Sequence, residues 1–338
     1  MTHLLILAPN WLGDAVMALP AIADVCRASS GATITVAARP GVAPLFSLVP
    51  GVRDVVRLDE HDTSHSGLQD RGCDTALLLP NSFHAALLAS RARIPERWGY
   101  RTQFRGRLLT RAIARPPSGV HHVEYYQQLV RALGFDNGPG APRLDVSAGT
   151  RAAGADALAR AGWDGRAPLV AIAPGAAYGG AKRWPSASFA ELARALGGDG
   201  ATTVMIGGPG DAATGREVEA HLGGAGRLLN LMGATDLPLL AGVLVACRAV
   251  VSNDSGAMHL AAALGVRVTA VFGPTDERVT GPRGEVRPPS PGGFGATHAV
   301  LTHDVWCRPC LLRECPIDHR CMRGVGVHAV LAEARRTL

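Results

Sequence analysis

Strand-sized runs, most of them apolar throughout, recur along this chain, and each is closed by a polar or glycine-bearing loop. In the first half they fall at 4–8, 32–37, 52–58 and 75–79. A strand that is apolar at every position is buried on both faces, as in a parallel sheet, and parallel strands need crossover helices between them. Helical apolar spacing follows at 15–28, after Pro80-Asn81-Ser82, and at 121–133. The second half restarts the pattern, with strands at 169–173, 202–206, 228–231, 249–252 and 266–272. Its helices are expected at 189–196, from 212, and at 237–246 and 257–264. Between the halves lies 136–142, DNGPGAP, whose glycines and prolines read as a linker. At 338 residues the chain exceeds one ordinary core. The expectation is α/β, with two doubly wound Rossmann-like domains at 1–150 and 151–320. Residues 321–338 are expected to form a C-terminal helix packing back on the first domain.

In such sheets the ligand crevice lies beyond the strand C-termini. The second half places three glycine-bearing loops there, at 174–185, 207–211 and 253–256. The turn Asn253-Asp254-Ser255-Gly256 opens an apolar helix, whose first N–H groups lack intrahelical partners and whose dipole favours an anion. Simple capping by Asp254 or Ser255 accounts for the same residues. In the first half Gly13 permits close backbone approach and Asp14 stands at a helix mouth. Neither GxGxxG nor a Walker A motif is present, which argues against a dinucleotide fingerprint and against that type of triphosphate hydrolysis. No DxD pair closes a strand, so no divalent-ion site on a diphosphate is evident.

Of 34 basic residues 33 are arginine, and the one lysine, Lys182, lies in the 174–185 loop. That choice points to a contact needing a compact ammonium, such as a phosphate. The interdomain cleft is the expected binding site. Lys182, the helix N-termini and Asp254 would neutralise a diphosphate there, and Asp14 opposite would take a proton from an attacking hydroxyl. This set fits group transfer from a nucleotide-linked donor.

The formal charge of +6 is uneven: 91–115 holds eight arginines and a single acid, Glu96. Nucleic acid, an anionic membrane surface or a phosphorylated substrate would suit such a block, and so would plain solvation. Aromatics at 5% weaken a base-stacking reading. No apolar run reaches transmembrane length, and MTHLLILAPN has neither a basic n-region nor a cleavage site, so a cytoplasmic protein is expected. Near the C-terminus Cys307, Cys310, Cys315 and Cys321 cluster beside His303 and His319. Structural zinc, free or redox-active thiols, and disulfides are the three readings, the last disfavoured in a reducing compartment.

Three stretches together resemble the ADP-heptose:lipopolysaccharide heptosyltransferases of glycosyltransferase family 9, in the heptosyltransferase II branch. They are Asn10-Trp11-Leu12-Gly13-Asp14-Ala15-Val16-Met17, Pro174-Gly175-Ala176 with Ala181-Lys182-Arg183-Trp184-Pro185, and Ser252-Asn253-Asp254-Ser255-Gly256 with Met258-His259. The segment from His121 to Tyr126 is also similar. The resemblance implies a GT-B fold, ADP-L-glycero-D-manno-heptose as donor, a heptose–Kdo–lipid A acceptor, and inversion at the anomeric carbon without a metal cofactor. It makes Asp14 the general base and Lys182 the partner of the departing ADP. Gly175, Asp211, Asn253, Asp254, Ser255, Gly256 and His259 would line the donor site, His259 doubling equally well as a structural histidine. Asn10, Trp11, Gly13, Arg101, Arg105, His121 and His122 would meet the acceptor. Ala176 and Ala177 depart from relatives that carry hydroxyls there, which shifts phosphate contacts to backbone N–H groups. The arginine block would face acceptor phosphates and Kdo carboxylates on the inner face of the cytoplasmic membrane, with no nucleic-acid partner. The cysteines would take no part in catalysis. Two alternatives stand beside this: a family 9 enzyme for another nucleotide sugar or glycan, and a non-catalytic anion- or membrane-binding protein built on the arginine block.

Overall fold

Two six-stranded parallel sheets carry the chain, one in each of two units, Met1–Pro142 and Arg143–Leu338. The computed structural model describes residues 1–59, 66–224, 226–285 and 298–338. The first unit holds β1 (His3–Leu7), β2 (Thr33–Ala38), β3 (Asp54–Arg57), β4 (Thr75–Leu78), β5 (Glu96–Tyr100) and β6 (Arg111–Ile113). The second holds β7 (Leu169–Ala173), β8 (Thr202–Met205), β9 (Leu228–Asn230), β10 (Ala249–Asn253), β11 (Arg267–Phe272) and β12 (Ala299–Thr302). Their orders are β3-β2-β1-β4-β5-β6 and β12-β11-β10-β7-β8-β9. The two units therefore wind identically. In each, the first strand pairs with the second on one side and the fourth on the other, as in Leu5↔Thr35 with Leu5↔Ala76, and Ala171↔Val204 with Val250↔Ala171. That reversal leaves a crevice beyond the strand ends, between β1 and β4 in one unit and between β7 and β10 in the other.

The central strands are the apolar ones: every residue of β7, β10 and β11 is buried. Trp98-Gly99-Tyr100, turn-like by sequence, instead ends β5, with Gly99 paired to Leu78 and Ala112. Glu96 and Arg97 in β5 and Arg111 in the edge strand β6 mask these two strands, whose positions are only partly buried and need no continuous apolar run. The stretch expected as one helix at 15–28 is two, Leu12–Met17 and Leu19–Ala28, broken at Ala18 with Pro20 in the first turn of the second.

The units divide at Pro142/Arg143, at the end of the proposed linker and not at 150. The helix Ala148–Arg160, capped by the Ser147 hydroxyl on the Thr150 N–H, belongs to the second unit because it packs on the helix Leu237–Leu244. Glycines make that crossing: a Cβ on Gly154 would overlap the Gly242 carbonyl, and one on Gly242 would overlap the Thr150 carbonyl oxygen. The C-terminal helix, Val327–Arg335, was expected on the first domain, but its Val330, Leu331 and Ala334 lie in the second unit's core with Phe189, Leu192 and Leu196. Arg267–Glu333 at 2.9 Å and Arg335–Asp199 at 2.7 Å pin it there. Among the described residues no helix is long and apolar enough to cross a membrane.

Candidate active site

In the first unit the chemistry gathers at the β1/β4 crevice. Asp14 follows β1, in the first turn of the helix Leu12–Met17. It does not cap that helix, since the N-cap is Trp11 and no side chain caps it. Asp14 Oδ1 instead lies 3.0 Å from His122 Nδ1, a histidine opening the helix His122–Ala132. Beside the pair Tyr126 is buried, and burial first, with the Asp14 carboxylate second, holds its phenol well above the usual value. It is a neutral wall. Beyond β4, the Asn81 amide donates to the Tyr125 hydroxyl at 2.8 Å, and the Tyr100 hydroxyl donates to the Tyr125 carbonyl at 2.7 Å. Asn10, Trp11 and Arg101 are exposed.

Two residues expected to touch an acceptor do structural work instead. Arg105 is fully buried: its Nε donates to the Tyr100 carbonyl at 2.9 Å and Nη1 to the carbonyls of Pro80 and Ser82. Burial pushes its guanidinium down to about 10. It joins the end of β5 to the loop after β4. His121 is buried as the N-cap of its helix, its Nδ1 accepting from the Val123 N–H at 3.2 Å. The arginine block is thus not one solvated face. Two of its exposed members, Arg101 and Arg107, line an open pocket with Phe104, which is 99% exposed. Gln103 and Phe104 both adopt positive φ, 45° and 58°, a strained turn for residues with side chains.

The second unit concentrates charge at the β7/β10 crevice. Lys182 Nζ donates to Asp254 Oδ2 at 2.6 Å, with the two side chains only 13% and 5% exposed. Thr275, just after β11, donates its hydroxyl to the same oxygen at 2.7 Å. The Tyr178 ring lies 4.8 Å from the Lys182 ammonium, a cation–π contact that shields it further. Asp254 is therefore committed to Lys182 and Thr275 and does not cap the helix Gly256–Ala263. Nor does Ser255, whose hydroxyl pairs with Ser252 at 3.0 Å. The first N–H groups of that helix are left without a side-chain cap, and the capping explanation falls away.

Asn253 is a further correction. It is fully buried, its Oδ1 accepting from the Trp184 N–H at 3.0 Å and its Nδ2 donating to the Pro174 carbonyl at 2.8 Å. It clasps the lysine loop to the end of β10. Gly175 and Asp211 do meet: a Cβ on Gly175 would overlap the Asp211 carboxylate, which also accepts from the Gly208 N–H at 3.1 Å. His259 is buried within its helix. Sequence reasoning missed Thr275 and Tyr178, whose only signal was their position in loops after strands. The zinc reading of Cys307, Cys310, Cys315 and Cys321 is not supported, because no three His, Cys, Asp or Glu side chains among the described residues converge as a metal cage. All seven cysteines have free thiols, and burial raises that of Cys321.

Two Rossmann-like units, one carrying a buried lysine–carboxylate pair and the other a carboxylate held by histidine, have the GT-B type of fold, which a solved relative shares. The chain belongs to glycosyltransferase family 9, the heptosyltransferases, whose family model matches residues 65–320. Lipopolysaccharide heptosyltransferase 2 of Salmonella typhimurium is 32% identical over 303 residues, covering 82% of this chain and 85% of that one. The protein of the same name from Escherichia coli has the same identity and coverage. The solved structure of Escherichia coli ADP-heptose lipopolysaccharide heptosyltransferase II superposes with a TM-score of 0.79 at 28% identity, covering 99% of this chain and 98% of that chain. A family 9 structure from Veillonella parvula, at 20% identity, shares the fold with a TM-score of 0.81.

Proposed function

We propose that this chain transfers L-glycero-D-manno-heptose from ADP-heptose to a heptose of the lipopolysaccharide inner core, with inversion at the anomeric carbon. The observation that carries the reading is the Lys182–Asp254–Thr275 cluster beside a helix start that no side chain caps. Such a start binds a diphosphate oxygen through backbone N–H groups, and Lys182 adds an ammonium donor in a largely buried setting. Asp14 is the general base. His122 on Oδ1 fixes the carboxylate rotamer and leaves Oδ2 for the acceptor hydroxyl. The hydroxyl oxygen attacks C1 of the donor heptose from the face opposite the diphosphate. The C1–O bond to ADP breaks, the proton passes to Asp14, and Lys182 with the helix start takes up the charge of the leaving ADP. No step needs a metal when those groups carry that charge. Gly175, Asp211, Ser255, Gly256 and His259 complete the donor side, and Asn10, Trp11, Gly13 and Arg101 the acceptor side.

The acceptor is an anionic lipid, and Phe104 between Arg101 and Arg107 suits an anionic leaflet: the ring enters the interface while guanidiniums meet phosphates. We place the protein on the inner face of the cytoplasmic membrane on that ground. The test is a product-mass assay with purified ADP-heptose and heptosyl-Kdo-lipid A, set against UDP- and GDP-sugars. A mass gain of one heptose from the ADP donor alone is expected. Transfer from a different nucleotide sugar, or none, overturns the donor assignment. In Asp14→Asn the turnover should fall by about 10²–10⁴-fold with ADP affinity retained. Near-normal turnover would remove Asp14 as base.

A further inference from the structure

The segment carrying Cys307 and Cys310 has no part in the chemistry just described, yet it is bound to both loops that hold the lysine cluster. On one side it grips the loop after β7. The Ala181 N–H donates to the Arg313 carbonyl at 2.9 Å, next to Lys182 itself. The Gly180 N–H donates to Glu314 Oε1 at 3.0 Å. Arg313 Nε donates to the Tyr178 carbonyl at 2.7 Å, and the Tyr178 hydroxyl donates to the Leu311 carbonyl at 2.9 Å. The approach is so close that a Cβ on Gly179 would overlap the Arg313 carbonyl oxygen.

On the other side it grips the loop after β11. The Leu311 N–H donates to the Pro274 carbonyl at 2.9 Å. Arg308 donates from Nε to the Gly273 carbonyl at 2.7 Å and from Nη2 to the Thr275 carbonyl at 3.3 Å, and pairs with Glu277. Thr275 is the residue whose hydroxyl holds Asp254. Strands β7 and β11 flank β10 in the sheet, so a segment bound to both loops bridges the end of β10, where the Asn253–Gly256 turn lies. Its outer side is solvent-facing, with Trp306 79% exposed.

We propose that residues 306–314 are a strap that positions Lys182 for the donor diphosphate, with Arg308 and Glu314 as its positioning residues. Glu314 and the Arg313 carbonyl hold the backbone at 180–181, which sets where the Lys182 side chain begins. Arg308 holds the backbone of Thr275, which sets the Asp254 carboxylate that aims the ammonium. Neither residue touches the donor. This rests on Lys182 being the diphosphate contact, and the experiment separates the two claims.

The test is a double-mutant cycle on the full chain, read as ADP affinity by calorimetry. Lys182→Ala alone tests the phosphate contact and should weaken ADP more than tenfold, about the worth of a charge-assisted hydrogen bond. Glu314→Ala, at an exposed side chain, should weaken ADP about fivefold in the parent chain and less than twofold in the Lys182→Ala background. Arg308→Ala should behave in the same way, and Arg308→Lys should fail to restore affinity, because one ammonium cannot reproduce the guanidinium fork. In turnover the donor KM should rise and the acceptor KM stay unchanged. Equal losses in both backgrounds would make the strap a general support and overturn the proposal. An unaffected Lys182→Ala would overturn the phosphate contact and the strap's role with it. If Arg308→Ala does not fold, Glu314→Ala decides.

Discussion

His298, just before β12, is half-buried, and its Nδ1 accepts from the Val268 N–H at 3.2 Å. Burial first, aided by nearby Arg267, pushes its pKa down to about 4. Its ordinary value in an unfolded chain is about 6.5. The unfolded state therefore binds a proton before the folded state does. Stability should be complete above pH 6.5, fall as pH drops from about 6.5 to about 4, and level off for this group below that. His298→Asn should flatten that segment of the profile in urea titrations at successive pH values. An unchanged slope would mean that His298 is not neutral in the folded protein. Lys182 poses a different residue-scale question, that of shape. Lys182→Arg keeps the charge but brings a planar fork against the Tyr178 ring and a single Asp254 oxygen. It should recover less than a tenth of the ADP affinity of the parent chain, on the order of a lost charge-assisted bond.

Among the elements, the helix pair Ala148–Arg160 and Leu237–Leu244 meets at Gly154 and Gly242 with no room for a methyl group. Gly154→Ala should cost about 1–3 kcal/mol of stability in the second unit, the usual range for overpacking, measurable as a lower denaturation midpoint. Legibility differed from element to element for a physical reason. The strands β1, β7 and β11 could be read because burial on both faces demands apolar residues throughout. Strands β6 and β12 were missed and β5 was misread, because their positions are only partly buried and need no continuous apolar run. Lys182 and Asp14 stood out because each is a charge placed where an apolar strand gives way to a helix. Arg105 and Asn253 stood in the same kind of place and were misassigned. Whether a polar side chain meets a ligand or a backbone carbonyl depends on loops far off in sequence. Thr275 and the strap were invisible for the same reason, since their partners lie at Asp254, at 178–181 and at 273–275.

Considered whole, the molecule divides its charges by task. Charge reversal of Arg101 and Arg107, two exposed members of the arginine block beside Phe104, should weaken binding to vesicles of anionic lipid by about 1 kcal/mol per charge removed. ADP affinity should not change, and Phe104→Ser should act in the same direction. Equal binding to neutral and anionic vesicles would sink the membrane assignment. Arg105 is unsuited to such a test because its removal would unpair buried carbonyls. The two sheets share one winding, and each bears the groups proposed to act in catalysis at its own reversal point. Neither set of hydrogen bonds crosses the division at Pro142: Asp14 and His122 lie on one side, Lys182, Asp254, Thr275 and the strap on the other. On the proposed assignment, substitutions that retune recognition of one substrate can therefore accumulate without disturbing the groups that recognise the other. A lineage with this architecture is free to change its glycan while keeping its nucleotide, or the reverse, by drift within half a gene.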